Sequence, residues 1–165
     1  MSFYVRPTLV YFKIWQYTMT NIKLNQIIPL AENLTKADIP LYLNPVSAGY
    51  PAEAYNYIEK TIDFNEYLIH TPETTFCLWA DGDSMNGDGI FKGDLLVVDK
   101  LLNPKEGDIL IFSIDGEFTM KRLQVYEDYV ELVSSNPKYN PIRVQDGEQL
   151  QRWGVVTAVI KKFRK

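Results

Sequence analysis

The sequence predicts a mostly β domain of curled antiparallel sheets with an extended N-terminal arm. Three observations carry that reading. Short strand-type runs bounded by turn residues follow one another from about residue 57 onward. No stretch long enough for an amphipathic helix separates them, which favours sheets over alternating helices and strands. Ahead of them, Pro7, Pro29 and Pro40 interrupt any long helix.

Taken in order, the arm spans residues 1 to about 45 and shows little periodicity. Its opening, MSFYVRPTLVYFKIWQYTMT, is aromatic and apolar but broken by Arg6, Pro7 and Lys13. Without an unbroken apolar core and a small-residue cleavage site behind it, this does not read as an export signal, and Met19 stands as a second candidate start. Residues 46–56, VSAGYPAEAYN, are small, carry Gly and Pro, and read as an exposed connector. The strand-type runs are Phe76 to Ala80, Leu95 to Asp99, Asp108 to Ile114, Glu117 to Leu123, Tyr129 to Ser134, Ile142 to Val144 and Val155 to Phe163. Asp115-Gly116 between two of them is a two-residue hairpin signal, since glycine tolerates the positive φ that such a turn needs.

At 165 residues there is room for one domain, or one domain plus an arm. With 46% apolar and 23% charged residues the composition is that of a globular chain. The 17 Lys and Arg against 21 Asp and Glu leave a net charge of -4, the wrong sign for a duplex-gripping module. An arm with three prolines also cannot supply the roughly three packed helices of a DNA-reading head. Direct sequence-specific DNA binding is therefore not expected. The apolar runs fall well short of the roughly 18 to 20 residues that cross a bilayer. A single cysteine, Cys77, fits a reducing compartment, hence a cytoplasmic setting, and a single histidine, His70, argues against a metal site. No cofactor is expected.

Chemistry concentrates in residues 81–99, DGDSMNGDGIFKGDLLVVD. Ser84 stands between an apolar strand and a turn-rich segment holding Gly82, Gly87, Gly89 and Gly93. There a hydroxyl can be exposed while its own backbone N–H points into the same space, as an oxyanion hole requires. The alternative is that Asp83-Ser84 caps a short helix. A nucleophilic serine needs a base. His70 sits in a Thr/Pro-flanked segment with no evident carboxylate to orient it and reads as a surface or half-buried histidine. Lys121, in FTMKRL, shares one strand face with Thr119 and Leu123, while Phe118, Met120 and Arg122 share the other. A strand lysine is ordinarily solvated; it serves as a base only when its amine is neutral.

The runs GDSM from Gly82, GDLLVVD from Gly93, EGDI from Glu106 and GEFTMKRL from Gly116 occur in the order found in the LexA/UmuD family of self-cleaving Ser-Lys proteases. The chain resembles that family over residues 46–165, with NPKYNPI from Asn136 and WGVV from Trp153 similar to its late strands. The 37 residues from Ser84 to Lys121 also resemble the spacing of the family's dyad. The resemblance implies a LexA/signal-peptidase-like fold, catalysis by Ser84 and Lys121, and an oxyanion held by backbone N–H groups near Asp83 and Ser84. It also implies a cut in the chain itself between a small residue and glycine. Ala48-Gly49, 36 residues ahead of Ser84, is the matching pair. UmuD-branch proteins typically carry cysteine before that glycine, and the repressors carry alanine, as here.

On this reading residues 1–48 are an arm removed by self-cleavage, and residues 49–165 form the catalytic and dimerisation domain. The resemblance further implies an SOS-response switch stimulated by a RecA–single-stranded-DNA filament. Its cleaved homodimer would serve a UmuC-type Y-family DNA polymerase in translesion synthesis. Three other readings compete. A LexA- or phage-type transcriptional repressor would need a DNA-reading head, a signal peptidase would need a membrane anchor, and a pure interaction module would not cut.

Overall fold

The computed structural model describes residues 36, 38–42, 58–114, 117–144 and 150–164. The expected cleavage pair Ala48-Gly49, the connector around it, most of the arm and the Asp115-Gly116 turn lie outside the described residues.

Seven strands form one antiparallel sheet. They are β3 (Thr75–Trp79), β4 (Leu95–Asp99), β5 (Ile109–Ile114), β6 (Glu117–Val125), β7 (Val130–Val133), β8 (Ile142–Val144) and β9 (Leu150–Ile160). Their spatial order is β3-β4-β9-β5-β6-β7-β8, so the last strand lies between β4 and β5. The β5–β6 ladder ends with Ile114 opposite Glu117, the closure that a two-residue hairpin requires. A separate pair joins β1 (Ile39–Tyr42) to β2 (Ile58–Ile62). Asp63 then caps the five-residue helix α1 (Phe64–Leu68), its carboxylate accepting from Asn65 N at 2.9 Å.

Two features depart from the expected elements. Neither β1 nor β2 belongs to the strand-type runs, because Pro40 and the charged pair Glu59-Lys60 mask their apolar content. The last strand begins at Leu150 rather than Val155 and stops at Ile160 rather than Phe163. Its first half carries Arg152 and Gly154, which break an apolar pattern. Arg152 is nonetheless buried, its guanidinium donating to Leu102 O at 3.0 Å. Gly154 is there because the backbones nearly touch: a Cβ would stand 2.6 Å from Asp99 O. Register shifts between Val97 and Val98 and between Ile111 and Phe112, both against β9, add the local twist that curls the sheet.

Alternation along β5 divides the core in two. Ile111 joins Ala80, Met85, Ile90, Leu96 and Val98 on one face. Leu110 and Phe112 join Leu123, Val130, Leu132 and Val155 on the other. No helix among the described residues is long and apolar enough to cross a membrane.

Candidate functional site

Ser84 lies in a loop that leaves β3 and returns at β4. The loop is closed at its base by Ala80 N donating to Asp94 O at 2.8 Å and Gly93 N donating to Ala80 O at 2.9 Å. Met85 and Ile90 point inward and anchor it, at 1% and 3% exposure. A single 3-10 turn, Asn86–Asp88, follows and ends at Gly89, whose φ of 75° suits a residue without a side chain. Gly87 packs against the backbone of Ser135, where a Cβ would sit 2.4 Å from the carbonyl oxygen. Asp88 forms an ion pair with Arg122 on β6, which ties the loop to the strand that bears Lys121.

The serine neighbourhood is held from the far side by the turn after β7. Asn136, buried, donates its backbone N–H to Ser84 O at 3.1 Å. Its side-chain amide donates to Asp83 O at 3.0 Å and to Asp83 Oδ2 at 3.1 Å. Tyr139 donates its hydroxyl to Asp83 Oδ1. That bond holds the Asp83 carboxyl below the usual carboxylate range and pushes the Tyr139 hydroxyl up. Asp83 and Ser84 therefore have their backbone carbonyls and the Asp83 carboxylate engaged across the fold rather than capping a helix. The 3-10 turn has no side-chain cap.

Ser84 Oγ itself donates, at a long 3.4 Å, to the carbonyl of Met120, the residue before Lys121. Lys121 is only 5% exposed, on the inward face of β6 that alternation shares with Leu123. Its Nζ lies 5.3 Å from the centroid of the Tyr139 ring. Among the described residues no carboxylate pairs with it, and burial holds its pKa below the ordinary lysine value. The backbone N–H of Ser84 makes no hydrogen bond among the described residues, whereas that of Asp83 contributes to holding its own carboxylate down.

A groove of about 150 Å³ opens beside Ser84, walled by Leu78, Ile90, Ile111, Phe118 and Met120. Trp79, 69% exposed, lines its outer end at the edge strand β3. The arrangement offers a hydroxyl, a buried amine and a small recess of mixed polar and apolar lining along an open sheet edge. An extended peptide with small side chains suits such a recess.

His70 is exposed after α1, and no hydrogen bond joins it to Ser84. Cys77 is exposed on β3. No cluster of three or more His, Cys, Asp or Glu among the described residues could hold a metal ion. Sequence reasoning gave no role to Asn136 or Tyr139. The signal that could have raised them is NPKYNP itself, a turn sequence whose polar residues stand next to a strand end.

Residues 40–157 match the family model described as Peptidase S24-like. Protein SamA of Salmonella typhimurium is 46% identical over 125 residues, covering 76% of this chain and 86% of SamA. Protein ImpA of Escherichia coli is 44% identical over 126 residues, covering 76% of this chain and 85% of ImpA. The LexA repressor of Anaeromyxobacter sp. is 38% identical over 128 residues, covering 76% of this chain and 55% of the repressor.

Proposed function

The chain belongs to the Peptidase S24-like family, and on that footing we propose that it is a serine endopeptidase that cuts itself between Ala48 and Gly49 with Ser84 and Lys121. The observation that carries this reading is the burial of Lys121 without an acidic partner among the described residues, on the residue that follows the carbonyl met by Ser84 Oγ. An ordinary lysine is neutral in about one molecule in 2,500 at pH 7, so a lysine base must be kept from water.

The steps follow from the groups present. Lys121 Nζ takes the proton of Ser84 Oγ, which attacks the Ala48 carbonyl carbon. The negative charge that develops on the carbonyl oxygen is met by the unengaged Ser84 N–H, with Asp83 N–H as the second candidate donor. The C–N bond then breaks as the Lys121 ammonium gives its proton to the departing Gly49 amine. Water, deprotonated by Lys121, releases the Ala48 carboxylate and restores Ser84. The arm 1–48 leaves and residues 49–165 remain.

One cut per molecule makes a switch rather than a turnover enzyme. The family resemblance supports reading that switch as a cytoplasmic one in the SOS response, with a RecA–single-stranded-DNA filament favouring the cleavable conformation. The shortened chain pairs as a homodimer and joins a UmuC-type Y-family DNA polymerase for translesion synthesis. Net acidity supports a protein that works through other proteins. SamA and ImpA, at 46% and 44% identity, are more similar to this chain than the LexA repressor at 38%, which supports a UmuD-like reading over a repressor.

Incubating the purified chain at pH 9 to 10 and sequencing the products tests the chemistry. A fragment beginning at Gly49, absent from Ser84→Ala, is expected; the same fragment from Ser84→Ala would sink the assignment.

A further inference from the structure

The turn from Asn136 to Tyr139 is attached to both halves of the site. Asn136 holds the carbonyls of Asp83 and Ser84, and Asn136 O accepts the Tyr139 N–H at 3.1 Å. Tyr139 then reaches in two directions, its hydroxyl to the Asp83 carboxylate and its ring to within 5.3 Å of Lys121 Nζ. A tyrosine 43% exposed has water for its hydroxyl, so hydrogen-bond satisfaction alone does not explain why it is clasped over a buried amine. We propose that Tyr139 is a positioning residue that screens the Lys121 amine from water, with its hydroxyl fastening that screen to Asp83 beside the nucleophile. The inference rests on the reading of Lys121 as the base and adds what keeps that base dry.

Two effects of the ring oppose each other. An aromatic face attracts an ammonium, worth about twofold at an exposed site to about thirtyfold or more at a desolvated one in the ionisation constant. Excluding water from a lysine disfavours the ammonium by up to ~10³- to 10⁵-fold when complete. The second is the larger, so removing the ring should make Lys121 more basic. The groups around the amine leave access to water as the controlling influence. The loop brings Asp83, and Asp88 already paired with Arg122; the turn brings Lys138 and Tyr139. The flanking strands bring Leu110, opposite Lys121 on β5, and Val133, opposite Arg122 on β7, neither of which titrates. The Asp83–Tyr139 bond lowers the one group and raises the other, so the clasp persists across the neutral and alkaline range in which the amine sheds its proton.

The test is an NMR titration of the Lys121 Cε resonance in the full chain carrying Ser84→Ala, compared with Tyr139→Phe and Tyr139→Ser added to it. Tyr139→Ser should move the Lys121 midpoint by tenfold or more in proton concentration toward alkaline pH, and Tyr139→Phe by no more than about twofold. With Ser84 restored, Tyr139→Ser should shift the pH profile of self-cleavage by the same interval. Tyr139→Phe should slow cleavage a few-fold without moving the profile. An unmoved Lys121 midpoint in Tyr139→Ser overturns the inference. Normal self-cleavage by Lys121→Ala overturns the base assignment instead, and the titration still decides the role of Tyr139.

Discussion

Lys121 and Leu123 stand two residues apart on the same face of β6, and both are shut away from solvent, at 5% and 1% exposure. Around Leu123 the surroundings are Leu110, Phe112, Val130, Leu132 and Val155, and burial there contributes directly to stability. Beside Lys121 stands a tyrosine ring carried on a turn held by Asn136, and the carbonyl just before it on the strand accepts from Ser84 Oγ. The same backbone geometry thus stabilises at one position and costs free energy at the other, because an ammonium loses its hydration and gains no counter-charge. A fold that tolerates such a lysine does so with a neighbouring apolar cluster as compensation.

The contrast is broken most sharply by removing the amine. Lys121→Ala, like Ser84→Ala, should reduce self-cleavage by a factor on the order of 10³ or more while far-UV circular dichroism stays unchanged. Leu123→Ala should do the reverse. We expect a loss of about 2–5 kcal/mol in urea unfolding, with the pH midpoint of cleavage where it was in whatever fraction remains folded. Gly154→Ala, at the close crossing of β9 and β4, should cost about 1–3 kcal/mol in the same assay by forcing the strands apart. Lys121→Met should act in the opposite direction and stabilise the fold. A lysine whose folded pKa is depressed stays unprotonated where the unfolded chain binds a proton, so stability rises with pH between the two values. The gain from Lys121→Met is therefore largest below the lowered folded value and disappears as pH passes the ordinary lysine value of ~10.4. Unfolding midpoints at pH 6, 8 and 10 check it; a gain that grows with pH would contradict the burial of an uncompensated amine.

The sheet was legible where period-2 patterning met clear turn residues. Leu95 to Asp99 is a strand at those bounds, and Ile114 and Glu117 face each other across the expected turn. Alternation along β6 by itself puts Lys121 on the face of Leu123. What escaped was set by tertiary context. Arg152 and Gly154 look unlike central-strand residues until the Leu102 carbonyl and the Asp99 backbone are beside them. Ser84 and Lys121 stood out through motif and spacing. Asn136 and Tyr139 did not, since their partner Asp83 is 53 and 56 residues away and no local pattern encodes such a bond. Ala48-Gly49 remains an expectation from sequence, outside the described residues.

The placement of β9 between β4 and β5 has a bearing on how the chain is born. The serine loop belongs to the hairpin of β3 and β4, the lysine to the meander from β5 to β8, and only the final strand stitches the two into one sheet. A ribosome delivers that strand last. Until residues 150–160 emerge, the hairpin bearing the Ser84 loop and the meander bearing Lys121 share no continuous ladder, and only the loop and turn contacts between them are available to bring the two residues into line.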